Sequence, residues 1–340
     1  MILYLGNYLT KHGFIPTFNE QLVERLEEKY IVKKSSSQKY QLPRLLHMIY
    51  SILKFRKQTE IILIDVYSSR AFWYAYFCSR LAKWLKLSYI TILRGGNMEW
   101  RLKKNPNAAK KIFLNSAENI SPSKYLYNIF SEKRFPVKYI PNSLILKNYP
   151  FKKREKFELK LFYLRSLHKV YNPVLAVEVL KKLIDKYSEA ELCFVGPNKD
   201  NSSAEIRKRA KQLGIEKHIT VCGRLDKETW IKLSENYSFL INTTTIDNHP
   251  MSVIECMTLG LCVISTNAGG MPFLIDNNVD GVLVNQNDSE EFFNKISYIH
   301  EHADEGKKLT ENARKKAEDF DWKKIKVEFF QVFESAKKMR

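Results

Sequence analysis

Short β-branched and aliphatic runs recur along the chain, each followed by a longer stretch whose apolar positions return every three to four residues. In the first half this pattern predicts strands at 1–5, 60–65, 88–93 and 137–140, with helices near 18–29, 42–56, 68–86 and 122–131. In the second half it predicts strands at 159–164, 190–195, 219–222, 238–242, 261–265 and 281–284. Helices fit near 173–186, 203–212, 227–235, 252–259 and 288–301, and the closing segment 320–338 reads as an amphipathic helix. Strands alternating with helices build βαβ units and parallel sheets covered on both faces. Two doubly wound α/β domains are therefore expected, with their boundary in the charged stretch 150–157. Ligands of such sheets bind beyond the carboxyl ends of strands. The loops at 6–17, 94–101, 165–172, 196–202, 243–251 and 266–271 are where a site is sought.

Composition narrows the class. A chain of 340 residues, 44% apolar, exceeds the size at which one core usually stops growing, and its 20 Phe and 18 Tyr argue against disorder. Five cysteines (Cys78, Cys193, Cys222, Cys256, Cys262) are odd in number and widely spaced, which points to a reduced compartment without structural zinc. The strand-like opening MILYL gives no expectation of a cleavable leader, and the apolar run 71–78 is too short to cross a bilayer. A cytoplasmic protein, peripheral on the inner face of the plasma membrane, is expected.

Net charge is +19, and its distribution matters more than its size: residues 1–157 hold 29 Lys and Arg against 10 Asp and Glu, while 158–340 hold 27 of each. A basic half beside a neutral one suits a polyanion or an anionic membrane surface. Nucleic acid is the competing partner, but RNP-type aromatics, zinc-finger spacing and basic heptads are missing, so no nucleic acid is expected.

The candidate chemistry gathers in 242–272, NTTTIDNHPMSVIECMTLGLCVISTNAGGMP. Asp247 and Glu255 bracket the start of a short helix, and Gly269-Gly270-x-Pro272 follows the next strand. With Ser252 as its cap, that helix would aim free N–H groups and its positive dipole end at the Asp247 loop, a setting that welcomes an anion. The same residues also fit a capping box, Ser252-x-x-Glu255, in which Glu255 only satisfies the helix start. Arg165 at the tip of the strand 159–164, with Lys169 before the helix that Pro173 opens, would suit a diphosphate. Gly196 and Gly223 end neighbouring strands, where backbone could approach a ligand. In the first half, His12 and Gly13 follow the first strand, and Arg94, Gly95, Gly96 and Asn97 follow another. His249 alone is no metal site.

LRSLHKVYNP, CFVGP, VCGRL, YIPNS and the 242–272 segment together resemble the retaining glycosyltransferases of family four, bacterial cell-surface polysaccharide transferases among them. The resemblance implies a GT-B fold, two Rossmann-like domains facing each other across a cleft. Residues 1–157 would bind the acceptor, 158–320 would bind the donor, and a final helix at 321–340 would pack back on the first domain. It implies a UDP- or GDP-sugar donor, a glycan or lipid-linked glycan acceptor, and no metal or other cofactor. Asp247, Arg165 and Lys169 would then be catalytic, with Asp247 near the donor sugar and the two cations on the diphosphate. Glu255 would hold the ribose, Gly223 and Arg224 would lie near the base, and Gly13, Gly196, Met251 and Ser252 would line the nucleotide. His12, Arg94 and Asn97 would lie on the acceptor or sugar side. The chain departs from the family pattern with Asp247 in place of Glu, Pro250 in place of Gly, a basic pair one residue closer, and Arg94 where many members have His. A nucleotide-sugar epimerase on the same fold, or a basic nucleic-acid-binding protein, are the alternatives.

Overall fold

The computed structural model of the protein describes residues 1–9 and 18–338. Contacts divide the chain into two units, Met1–Asn142 with Trp322–Arg340, and Ser143–Asp321.

The first unit is a six-stranded sheet in the order β2-β1-β3-β4-β5-β6, parallel throughout. Its strands are β1 (Ile2–Leu5), β2 (Val32–Ser35), β3 (Ile61–Val66), β4 (Tyr89–Leu93), β5 (Glu118–Ser121) and β6 (Lys138–Tyr139). The central strands ILYL, IILIDV and YITIL are buried along their whole length. A parallel sheet covered on both faces demands such unbroken apolar runs. The helices are α1 (Phe18–Leu26), α2 (Gln41–Phe55), α3 (Phe72–Trp84), α4 (Met98–Lys104), α5 (Pro106–Phe113) and α6 (Lys124–Glu132).

The second unit repeats the plan with the order β12-β11-β10-β7-β8-β9, again all parallel. Its strands are β7 (Lys160–Leu164), β8 (Glu191–Val195), β9 (Ile219–Gly223), β10 (Phe239–Asn242), β11 (Cys262–Thr266) and β12 (Val282–Val284). Its helices are α7 (Pro173–Lys186), α8 (Ser202–Leu213), α9 (Lys227–Ser234), α10 (Met251–Leu259), α11 (Met271–Leu274), α12 (Ser289–Glu301) and α13 (Ala303–Ala317). The last helix, α14 (Trp322–Lys338), lies in the first unit.

The units part at 142/143, where the sequence suggested 157/158. The segment between is core of the second unit: Leu144 and Tyr149 join one buried cluster and Phe157 another. Arg154, only 6% exposed, spends its guanidinium on the carbonyls of Ser234, Tyr237, Leu259 and Gly260 at 2.7–3.2 Å. Within the charged run that looked like linker, Arg154 is a buried clamp while Lys152, Lys153, Glu155 and Lys156 stay exposed.

Candidate functional site

In the second unit the strand order reverses between β7 and β10: β8 and β9 extend on one side, β11 and β12 on the other. Loops leaving the carboxyl ends of two such strands diverge and open a crevice. Arg165 directly follows β7, and the Asp247 loop follows β10.

Backbone contacts at the strand tips fix Arg165. Its N–H donates to the Val195 carbonyl at 3.0 Å, and the Gly196 N–H donates to the Gly223 carbonyl at 2.8 Å. A Cβ on Gly196 (φ +152°) would stand 1.9 Å from the Arg165 carbonyl oxygen, so only glycine lets the tips close up. The Asp247 loop is laced on both sides. The Thr245 N–H donates to the Val170 carbonyl at 2.9 Å, and the Thr243 hydroxyl bonds the Tyr171 and Asn172 carbonyls at 2.8 Å. Opposite, the Gly270 N–H donates to the Asp247 carbonyl at 2.8 Å. A Cβ on Gly270 would lie 1.8 Å from the Asn248 oxygen, which is why this turn carries two glycines.

The outcome is a direct pair, Arg165 Nη2 donating to Asp247 Oδ2. The guanidinium lies over the Tyr171 ring, 4.4 Å from its centroid, and its buried Nε has no acceptor among the described residues. Burial opposes the charge, but Asp247, Tyr171 and Tyr163 hold the Arg165 pKa above its ordinary value. A fork with one arm committed to a carboxylate and another donor unspent is suited to an anionic oxygen. Lys169 opens a single 3-10 turn, its N–H donating to Asp200 at 3.0 Å and its side chain exposed. Arg224 is exposed beside Gly223, whose φ of +68° borders open space.

The start of α10 corrects one expectation. The helix begins at Met251 with Pro250 in the N-cap position, so Ser252 is not the cap and the Ser252-x-x-Glu255 box does not form. Proline's fixed φ, here −70°, sets the turn one residue early, and the Val253 N–H folds back on the Pro250 carbonyl at 3.2 Å. Helix geometry leaves the N–H groups of Met251 and Ser252 without intrahelical acceptors. Glu255, released from capping, accepts from the buried Tyr149 hydroxyl at 2.5 Å and lies 3.4 Å from Lys227 Nζ. That ammonium sits 4.6 Å from the Tyr149 ring centroid. Sequence reasoning missed both partners, since Tyr149 lay just before the presumed boundary stretch and Lys227 is one cation among 56 Lys and Arg. His249 packs edge-on to Phe320 at 5.3 Å, and burial pushes its pKa down to about 3, so it brings no charge.

In the first unit the strand order turns between β1 and β3. Arg94 is tied there in a buried network. It donates to Asp65 at 2.9 Å, to the Asn142 side chain at 3.1 Å and to the Tyr4 hydroxyl at 3.0 Å, and it lies 4.9 Å from the Phe18 ring. Burial raises the Asp65 pKa against the opposing pull of Arg94. Asp65 escaped notice inside the apolar run IILIDV. Asn97 is exposed at the start of α4. His12 and Gly13 lie outside the described residues.

Among the described residues no cluster of three or more His, Cys, Asp or Glu side chains could hold a metal ion, and no helix is long and apolar enough to cross a membrane. The family model for glycosyl transferases group 1 matches residues 147–316, half of the chain. An alpha-1,4-N-acetyl-D-galactosaminyltransferase of Campylobacter jejuni, whose name gives a saccharide on PP-undecaprenol as its acceptor, is 28% identical over 184 residues, 54% of this chain and 50% of that protein. The chain spans about half the length of the curated relatives it matches first. Anabaena HepE, solved with UDP and glucose, aligns over 98% of this chain and 99% of its own, with TM-score 0.78 at 15% identity. Sucrose-phosphate synthase from Thermosynechococcus elongatus aligns over 98% of each chain, with TM-score 0.78 at 14% identity. These likenesses establish the fold as GT-B.

Proposed function

The chain belongs to the glycosyl transferases group 1 family, and on that footing we propose that it is a retaining, family-four glycosyltransferase. It moves a sugar from a UDP- or GDP-sugar to a hydroxyl of a glycan or lipid-linked glycan in cell-surface polysaccharide synthesis. The observation that carries this reading is Arg165, stacked on Tyr171 at the switch between β7 and β10, with a buried Nε unspent. The UDP and glucose bound to HepE and the PP-undecaprenol acceptor of the Campylobacter relative support these donor and acceptor classes.

In the transfer, the bond between the anomeric carbon and a phosphate oxygen breaks and negative charge builds on the departing diphosphate. Arg165, Lys169 and the first N–H groups of α10 offset that charge more in the transition state than in the ground state. The acceptor hydroxyl attacks from the face the phosphate leaves, and its proton passes to the departing oxygen, so the anomeric configuration is retained. Glu255, held by Tyr149, takes the ribose hydroxyls; Asp247 faces those of the sugar; Gly223 and Arg224 flank the base, and Gly196 lets the backbone approach. The fixed Arg165 guanidinium, with Lys169 and the helix donors, stands in for a divalent ion, so chelators should leave activity unchanged.

A thermal-shift screen of UDP-, GDP- and dTDP-sugars tests the donor class, a hundredfold excess over Kd adding about 2.7 kcal/mol of stability. Arg165→Ala should lower kcat by roughly two to three orders of magnitude. Turnover at the normal rate in that variant removes the clamp, and conversion of donor alone into an isomeric sugar nucleotide would point to the epimerase instead.

A further inference from the structure

The outward faces of α2 and α3 gather into stripes the exposed apolar side chains that other elements show singly. Along α2 the exposed positions include Leu42, Leu46, Tyr50 and Leu53, spaced as one helical stripe, with Leu46 57% and Tyr50 56% exposed. Along α3 they are Trp73, Phe77, Arg80 and Trp84, again one stripe, with Trp84 76% exposed. The two helices bury their opposite sides (Met48 and Ile52; Phe72, Ala75 and Cys78) in the same core cluster and pack against each other. Their outer stripes therefore look the same way. Scattered exposed apolar side chains need no explanation, but two adjacent stripes of leucine and aromatic rings mark a contact surface.

Charge says what covers it. Between Glu28 and Glu60, and again between Asp65 and Glu99, the sequence holds no carboxylate. The same faces and their ends carry Lys54, Arg56, Lys57, Arg80 and Lys83, all exposed, and Lys54 rides 5.6 Å from the Tyr50 ring. A second copy of this face would meet it cation to cation. Apolar side chains ringed by cations alone match the headgroup region of a bilayer with anionic lipids, where rings and leucines enter the acyl boundary and ammonium groups meet phosphates.

We propose that the α2–α3 face seats the protein on an anionic lipid surface, held by insertion of the Leu46, Tyr50, Trp73, Phe77 and Trp84 side chains as well as by charge. The proposal uses the first unit alone and stands independently of the donor and acceptor reading.

The test is co-sedimentation of the full chain with vesicles of phosphatidylcholine alone or mixed with phosphatidylglycerol. The protein is expected to pellet with the mixed vesicles and not with the neutral ones. The pair Lys54→Gln, Lys57→Gln should partition about thirtyfold more weakly at low salt. The pair Trp73→Ser, Phe77→Ser should lose at least about tenfold, and should lose it in high salt too, where a purely electrostatic contact is already screened. Circular dichroism and melting temperature of both variants should match the parent, since the altered side chains are exposed. Failure of the parent to pellet with anionic vesicles at low salt overturns the proposal, as does binding that neither pair weakens. Light scattering that shows a dimer lost in the Trp73, Phe77 pair, without vesicle binding, would assign the face to a second copy. A parent that pellets but shows no thermal shift with any sugar nucleotide would sink the transfer reading and leave this one standing.

Discussion

Glu255 shows how a residue's neighbours decide its role. Its carboxylate meets a buried hydroxyl and an ammonium instead of the backbone of its own helix. Tyr149→Phe removes only the hydroxyl, while the ring keeps its place in the core with Trp230. The expected result is a donor Kd about tenfold higher with kcat nearly unchanged, since a hydrogen bond to a charged group contributes about 1.5–3 kcal/mol, and part of that is recovered through Lys227. A variant that binds donor normally would show that Glu255 needs no such support. His249 makes a second residue-scale prediction. Its folded pKa is about 3, against about 6.5 in an unfolded chain. Between those values the unfolded state binds the extra proton, so the contribution is complete above the unfolded pKa and shrinks as pH falls below it. About 2 kcal/mol should be gone by pH 5. His249→Gln should flatten that part of the denaturation profile; an unchanged slope assigns it to other groups. Asp247 and Glu255 were legible from their spacing and Arg165 from its strand tip, whereas Tyr149 and Lys227 come to Glu255 only through folding.

At the scale of elements, the sequence pattern found ten strands and lost β2 and β5, whose polar positions hide them. β2 is VKKS with its two lysines exposed, an edge strand that carries charge where a central one carries apolar side chains. In β5, ENIS, Asn119 is buried and its amide bonds the Phe113 and Pro136 carbonyls at 2.9 and 2.6 Å, so a core position looks like loop. α13 buries Gly306, Leu309, Thr310, Ala313 and Ala317, a face too small and polar to show a hydrophobic period. A Cβ on Gly306 would reach within 2.4 Å of the Phe157 ring, so that helix needs glycine to lie flat on the core. α10 carries the sharpest element-scale prediction. Its carboxyl end is held by Arg154, whose guanidinium meets the Leu259 and Gly260 carbonyls. Arg154→Met keeps the bulk and removes the guanidinium from four carbonyls, of which Ser234 and Leu259 keep a backbone donor while Tyr237 and Gly260 lose theirs, which should cost at least about 3 kcal/mol in urea denaturation. A loss under about 1 kcal/mol would mean that water replaces the arginine readily.

Across the whole molecule, the chain enters the second unit once and returns once, so α14 completes a sheet it is far from in sequence. The return also sorts charge: the first unit, α14 included, holds 30 Lys and Arg against 11 Asp and Glu, and the second holds 26 of each. Periodicity announced α14 as an amphipathic helix, but periodicity does not say which core an apolar face will meet. Here Tyr30 supplies much of the answer, with its ring 5.5 and 5.7 Å from those of Phe330 and Phe333, and its hydroxyl donating to Glu334 at 2.8 Å. Ser88 adds a bond to the Ala336 carbonyl at 3.1 Å, and Lys337 pairs with Glu60 at 3.2 Å. Phe333 is fully buried, so Phe333→Ala should cost about 3–5 kcal/mol by lost transfer energy and the cavity it leaves. The apolar clusters of β1, β3 and β4 share no member with those of β7, β10 and β11. Hydrogen exchange should therefore show faster opening of the β1 and β3 amides in the variant, with the β7 and β10 amides as protected as before. Equal loss of protection in both sheets would mean that the two cores unfold as one cooperative unit, and that α14 stabilises the whole chain rather than the sheet it covers.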